Sequence, residues 1–579
     1  MLRSLVAAVL AASVQAHNVS YMNPIIPGWH SDPSCIFVSE LDNTFFCTTS
    51  SFMSFPGFPI YASKDLLTWK LASYALNRLE QFPPIRTTNN LEFGGMWANT
   101  LRFNDGKFYL ISTWFDGDVY KPEFVLTSAE DPYDNHSWKN LLKFEPPGDV
   151  IDPDLFFDDD GSVVVATSGT PIRACYLDLE TGRTSTPWML WNGTGGSNPE
   201  GPHIYKKDNY YYLLIAEGGT ALGHATTMAR SKTINGTWEP MPHNPLVSNR
   251  GTNEYFQTVG HSDLFQDANG NWWGVALSTR GGPELYNASI APMSRETVLY
   301  PISWPKGEWP VASPVRGEMT GPIPLRKSKQ LPGLGPYVGM PDIVHFAPKS
   351  SIPTNWLTWR PLYNASSIQV SPKHRPHTLQ IQSSRANLTG DSTFNASKEG
   401  INAIFRKQEH TFFNFTVDLH LGFARAPGDE LGVSNFLQQQ QHVDLGIVYL
   451  ASENNSLTPY LRFRARSIKA TAPGDVLQPV PVSWLNGPIR VRITPDSESV
   501  YSFFVAPAGR PKEERVFTSY STDLLTYDGA GTGGLFGVYA TTNGDSSHSF
   551  KAYVSRWRYL PVAQKIDYGT IIPVKEEAY

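Results

Sequence analysis

Between residues 32 and 273 one pattern of apolar and polar positions returns five times. Each copy has a polar or aromatic head, a short apolar run, a polar turn, and an aromatic or β-branched run coming back. The copies open with Asp32-Pro33-Ser34-Cys35-Ile36-Phe37, Trp97-Ala98-Asn99-Thr100-Leu101, Asp152-Pro153-Asp154-Leu155-Phe156, Glu200-Gly201-Pro202-His203-Ile204 and His261-Ser262-Asp263-Leu264-Phe265. In the last four the turn residue falls nine positions after the head, at Gly106, Gly161, Asn209 and Gly270; the first turns later, near Asp42-Asn43. The returning runs are Phe45-Phe46, Phe108-Tyr109, Val163-Val164-Val165, Tyr210-Tyr211-Tyr212 and Trp272-Trp273. Such runs joined by Asp- and Gly-rich turns predict β-hairpins. The heads lie 65, 55, 48 and 61 residues apart, which leaves room for further strands at 60–65 and 227–231. A repeat of that length, holding several short strands, predicts a five-bladed β-propeller over residues 17–325.

Beyond it the pattern changes. Gly321-Pro322-Ile323-Pro324 and Leu331-Pro332-Gly333-Leu334-Gly335-Pro336 break any strand, and a linker is expected at 326–337. Runs at 412–419, 443–449, 489–493 and 537–540 then read as strands without a repeat. They predict a β-sandwich over 338–565, with a C-terminal tail at 566–579. The chain is expected to be all-β. At the other end, Arg3, the apolar run 5–14 and Val14-Gln15-Ala16 have the form of a secretory signal over residues 1–16.

Composition sharpens this in a few places. A net charge of −6 and a pI near 6.2 argue against a nucleic-acid or anionic-membrane partner. No run after the signal approaches the 18 apolar residues of a membrane helix. Ten Asn-X-Ser/Thr triplets, from Asn18 to Asn454, fit a secreted, extracellular glycoprotein. Three cysteines cannot make a disulfide scaffold. Cys35 and Cys47 flank the first hairpin and are spaced to pair across it, which leaves Cys175 as a buried thiol. Aromatics at 13% are what a β-rich chain needs, and they also suit stacking on sugar rings.

The candidate chemistry sits at the heads of the repeat. If the copies are equivalent, Asp32, Trp97, Asp152, Glu200 and His261 occupy one depth around the central channel. Taken singly, Asp32 and Asp152 could be turn residues before proline, Glu200 a loop carboxylate, and His261 a hydrogen-bonded core histidine. Recurrence at one repeat position brings three acids together. Cleaving a glycosidic bond needs two carboxyl groups, one ionised and one protonated, and a third acid can hold the proton on the donor. Asp158, Asp159 and Asp160 read as the solvated turn.

Several of these stretches also carry a resemblance. Asn23-Pro24-Ile25-Ile26-Pro27-Gly28, His30-Ser31-Asp32-Pro33-Ser34, Gly95-Met96-Trp97-Ala98, Ile151-Asp152-Pro153-Asp154-Leu155-Phe156, Glu200-Gly201-Pro202-His203 and Gly260-His261-Ser262-Asp263 resemble glycoside hydrolase family 43. The C-terminal half is similar to that of its two-domain α-L-arabinofuranosidases and β-xylosidases, secreted fungal members above all. The resemblance implies inverting hydrolysis with Asp32 as general base, Glu200 as general acid and Asp152 as the residue that tunes Glu200 and orients the sugar. It implies Arg280 as a contact to sugar hydroxyls, Phe52 and Trp97 as pocket walls, and His261 on the axis. In some members that histidine helps hold a calcium ion or a water; no other cofactor is implied. Some two-domain xylosidases close the pocket with a sandwich aromatic, and Gly531-Thr532-Gly533-Gly534-Leu535-Phe536 lacks a clear match upstream of Phe536. The expected activity is exo-acting release of terminal α-L-arabinofuranose from arabinoxylan and arabino-oligosaccharides, with β-D-xylosidase activity beside it. The alternatives are a β-1,4-xylosidase acting mainly on xylo-oligosaccharides, a retaining fructan-type hydrolase, and a carbohydrate-binding propeller without catalysis.

Overall fold

The computed structural model describes residues 18–86, 94–116, 121–324, 330–390, 393–395, 398–526 and 531–575. The expected secretory segment lies outside them. Strands dominate, as the alternation predicted; among the described residues the helices are Gly282–Asn287 and short 3-10 turns.

Each copy of the repeat builds one four-stranded antiparallel meander. The first comprises Ser34–Val38, Thr44–Thr48, Gly57–Ser63 and Trp69–Leu76; the second Gly95–Asn104, Lys107–Phe115, Pro122–Ala129 and Leu142–Phe144. The third is Phe156–Phe157, Val163–Thr167, Ile172–Tyr176 and Trp188–Trp191, and the fourth Glu200–Lys207, Tyr210–Glu217, Ala225–Ser231 and Glu239–Pro240. The fifth is Phe256–Gln266, Trp272–Arg280, Glu296–Ser303 and Val311–Ala312. Two of the predicted turns are two-residue loops with both residues left-handed: Asp105 and Gly106 at φ 48° and 73°, and Asp208 and Asn209 at 52° and 60°. That geometry matches the twist of the flanking strands. Cys35 and Cys47 face each other across the first hairpin and are disulfide-bonded, while Cys175 is a buried free thiol.

Buried side chains join each sheet to the next. Phe46 meets Phe108 between the first two sheets, Ile111 and Val165 share a cluster between the second and third, and Val164 and Ile204 one between the third and fourth. A further cluster takes Leu214 and Met228 of the fourth, Trp273 and Val275 of the fifth, and Phe45 and Tyr61 of the first. The last sheet therefore packs back on the first. The N-terminus reinforces that closure: Val19–Met22 pairs with Glu318–Gly321, and the Asn23 amide donates to the carbonyls of Leu299 and Arg316.

The C-terminal half is a β-sandwich. A nine-stranded sheet is centred on Lys551–Asp567 and Phe412–Leu419, and a six-stranded one on Glu430–Gln438 and Gln441–Ala451. Leu431, Leu445, Phe463 and Val538 of one meet Phe415, Val491, Phe503 and Trp557 of the other in one core. Two expectations change here. The supposed tail begins inside the strand Lys551–Asp567, and Thr570–Pro573 folds back to pair with it. The described part of the linker lies against the first sheet: Leu71 N donates to the Pro336 carbonyl and Lys70 Nζ to that of Leu331. Strand edges carry unpaired backbone groups, and both segments satisfy them.

The halves share a large contact. Thr358–Trp359 pairs with Ser54–Phe55, and Trp29, Phe52 and Met53 lie in one apolar cluster with Leu357, Trp359, Phe405 and Leu535. Phe536 packs inside the sandwich against Phe413.

Candidate active site

The heads of the repeat are set by irregular backbone. Asp32, Asp152 and His261 have φ of 53°, 54° and 49°, and in the fourth copy Gly201, directly after Glu200, has φ 53°. The ladders also slip between Met96 and Asn99, between Glu200 and His203, and around Gly260. Bulges and left-handed residues re-aim side chains that a regular strand would alternate between faces.

The result is a cavity of about 270 Å³ lined by Asp32, Phe52, Trp97, Ala98, Ile151, Asp152, Glu200, Thr220, His261 and Arg295. All five heads are in it, and Phe52 with them. Phe52 stands between Trp29 (5.9 Å between ring centroids) and Trp97 (6.3 Å), and Trp97 stacks on Phe115. A larger groove of about 490 Å³ lies between the two halves, but Glu80 is the one acid among its lining residues. The acids at the heads of the repeat are therefore gathered in the smaller cavity.

Its three acids are held in opposite protonation states. Asp32 is buried, yet its carboxyl is held below the usual range. Burial pushes it up, and this is outweighed by the Arg295 guanidinium together with the hydrogen bond from Ser50. Ser50 Oγ donates to Oδ2 at 2.6 Å, and Arg295 Nη1 and His261 Nδ1 each lie 3.3 Å from Oδ1. Glu200 goes the other way, to about 7, through burial and the Asp32 charge against Arg295. Asp152 is also pushed well up, by burial, Glu200 and Asp32, although Gly201 N donates to its Oδ2 at 3.3 Å. Burial and the Asp32 carboxylate act on both, and the Asp152–Glu200 pair retains protons while Asp32 is ionised.

Arg280 is not in the cavity. Its Nε and Nη2 donate to Glu296 at 2.6 and 2.9 Å, and its Nη1 to Thr411, Gln564 and the Lys565 carbonyl of the sandwich. The arginine facing the acids is Arg295, which directly precedes the neighbouring strand Glu296–Ser303 and which sequence reasoning missed. The available signal was Arg295-Glu296 directly ahead of an apolar strand, where buried charges need partners. Arg102 was missed too. It bridges Asp154 (2.7 Å) and Asp263 (2.9 Å), with His203, Tyr205 and Ser34 around them. Ser34, Asp154 and Asp263 all stand two residues after a head, so the repeat itself pointed to this layer.

Burial lowers His261 to about 4, so it is neutral beside Asp32. Gly201 is required against it: a Cβ there would stand 2.6 Å from the imidazole. Among the described residues no group of three or more His, Cys, Asp or Glu side chains is arranged to hold a metal ion. Asp32 Oδ1 lies 3.3 Å from His261 Nδ1, and Arg295 already pairs with that oxygen. Calcium takes six to eight oxygens, so most of its shell at this place would be water.

The sequence matches the family model "Glycosyl hydrolases family 43" over residues 21–310 and that of the "Beta xylosidase C-terminal Concanavalin A-like domain" over 344–560. It is 30% identical over 546 residues to a non-reducing end α-L-arabinofuranosidase of Bacteroides ovatus, covering 93% of this chain and 94% of that one. It is 37% identical over 320 residues to a xylosidase/arabinosidase of Butyrivibrio fibrisolvens, covering 52% and 58%. The solved structure of the Bacteroides ovatus xyloglucan PUL protein GH43B superposes with a TM-score of 0.77 at 27% identity, over 94% of this chain and all of that one.

Proposed function

Because the chain belongs to glycosyl hydrolase family 43 and is a glycosidase, we propose that it removes single terminal α-L-arabinofuranosyl residues from arabinoxylan and arabino-oligosaccharides, with inversion. The observation that carries this reading is one small cavity holding an ionised Asp32 opposite a protonated Asp152–Glu200 pair. In a single displacement, Asp32 takes a proton from water as its oxygen attacks the anomeric carbon. The bond from the anomeric carbon to the glycosidic oxygen breaks as Glu200 gives its proton to that leaving oxygen. Asp152, fixed by Gly201 N and by its own N–H on Thr113 Oγ1, orients the bound sugar, and Arg295 keeps Asp32 charged. Phe52 and Trp97 form the apolar wall. No step requires a metal; an ion or water on the axis would sit at His261.

Supporting the architecture behind this, five consecutive meanders with the last packed on the first read as five propeller blades, with the heads on the axis. The small cavity, lined by propeller residues among those described, fits an exo action on chain ends and side branches. The signal-like N-terminus and the triplets at exposed Asn192, Asn235 and Asn454 support secretion and glycosylation.

A β-D-xylosidase activity is the second reading, favoured by the Butyrivibrio relative, whose name carries both activities. Nitrophenyl α-L-arabinofuranoside, nitrophenyl β-xyloside and arabinoxylan, with product anomers followed by NMR, separate these. Turnover of the arabinofuranoside with inverted product is expected. A retained anomer would overturn the mechanism. Sugar binding unchanged by Glu200→Gln, without turnover by either form, would mean a binding propeller.

A further inference from the structure

The sandwich reaches the segment that carries Asp32 through one charged side chain. Lys407, at the end of the strand Ala403–Lys407, donates from Nζ to the Trp29 carbonyl at 2.8 Å, with the ammonium 4.7 Å from the Trp29 ring centre. The next two carbonyls are held by other elements: His30 O accepts from Thr297 Oγ1 at 2.7 Å, and Ser31 O from Ser50 N at 3.1 Å. Asp32 follows, in a left-handed conformation, and Ser50 also donates to its carboxylate. The carbonyls of residues 29, 30 and 31 are thus gripped in turn by the sandwich, the fifth sheet and the loop that follows the first sheet's strand Thr44–Thr48. One residue earlier, Gly28 lies so close to the Gln408 backbone that a Cβ would stand 1.9 Å from its carbonyl oxygen, and Gly28 N donates to Glu296 at 2.6 Å.

From this chain of contacts we propose that Lys407 is a positioning residue for hydrolysis, setting the Asp32 carboxylate against Ser50 and Arg295 through the Trp29 carbonyl. The sandwich is then part of the catalytic assembly without lining the cavity. The placement is costly, which argues for a purpose: burial pulls the Lys407 ammonium down to about 7 against the pull of Glu409. An apolar side chain would pack on Trp29 as well, but it would leave that carbonyl without its donor. The Trp29–Asp32 stretch is short and irregular, so its position follows from these bonds. Small shifts in a general base have large effects on the chemical step and little on sugar binding.

This inference rests on Asp32 being the base, and the test keeps the two apart. Lys407→Met, Lys407→Gln, Lys407→Arg, Gly28→Ala and Asp32→Asn are made in the full chain, checked for folding by thermal melts, and assayed on the pentoside the wild type turns over. Lys407→Met is expected to lose roughly ten- to a hundredfold in kcat with KM within about twofold. Lys407→Arg, which keeps charge and donor, is expected to recover most of the loss. Gly28→Ala, which pushes the same segment from the sandwich side, is expected to show the same split where it folds, and Lys407→Gln, which keeps a neutral donor and is expected to lose part of the kcat, is read in place of Lys407→Met should that variant not fold. Wild-type kcat in the folded variant, with Asp32→Asn inactive, overturns the role of Lys407. An active Asp32→Asn overturns the base assignment instead.

Discussion

Arg295, and not Arg280, meets the Asp32 carboxylate, with its Nη1 3.3 Å from Oδ1. Arg280 ends the strand Trp272–Arg280, Arg295 stands one residue before the antiparallel strand Glu296–Ser303, and they share a neighbour, since Glu296 follows Arg295 and is the ion-pair partner of Arg280. One arginine faces the acids and the other ties the propeller half to the sandwich.

Replacing Arg295 by Met should therefore move the acid limb of activity. Arg295 is the largest influence holding the Asp32 carboxyl low, against the upward push of burial. Without it Asp32 protonates at higher pH, and kcat/KM falls first on the acid side. Profiles between pH 3 and 6 check this; an unmoved acid limb would separate Arg295 from the base.

Arg280→Met should act on stability. It leaves Glu296 buried without its cation, which costs about 3–5 kcal/mol when a buried pair is broken. Urea unfolding should show the loss, while KM of whatever variant remains folded stays near wild type.

Glu200 sets the alkaline limb. As the proposed acid it acts protonated, and burial with the Asp32 charge pushes its carboxyl up to about 7, so activity should decline as pH rises through that value. The same shift has a stability consequence. A carboxyl raised above its unfolded pKa penalises folding as pH rises between the two values. Glu200→Gln should thus be inactive yet more stable than wild type above pH 7, by about 3 kcal/mol at most, with the gain vanishing below about pH 4.5. Melting temperatures across that range measure it.

Arg102→Met should be among the most destabilising single changes. It removes the cation shared by the buried Asp154 and Asp263 and costs roughly 3–5 kcal/mol. Arg102→Lys should rescue little, since one ammonium cannot reproduce a planar fork that holds two carboxylates. Denaturant midpoints of the two variants decide the point.

Much of this molecule was readable along the chain. The hairpins were, because a strand's period of two and the residues that tolerate positive φ are local properties; Asp105-Gly106 and Asp208-Asn209 are where the turns formed. The five heads were, because the repeat puts equivalent residues at equivalent depth, and all five line the cavity. The disulfide followed from the hairpin register. The partnership of the arginines was not readable. Arg280 and Arg295 both stand at strand ends beside glycine- or serine-bearing loops, and only packing against Thr411 and Gln564 draws Arg280 toward the sandwich. The fate of residues 566–573 was not readable either, since an edge strand is defined by the neighbour it pairs with.

The sequence by itself determined the elements, the repeat and the three acids, because these depend on side-chain type and spacing over a few residues. Tertiary structure alone decided how the acids are held apart in charge, which arginine serves Asp32, and that Lys407, 375 residues beyond Asp32, donates to the segment that carries it. Charge and position in a buried site depend on burial and on partners brought from distant parts of the chain, and local pattern contains neither.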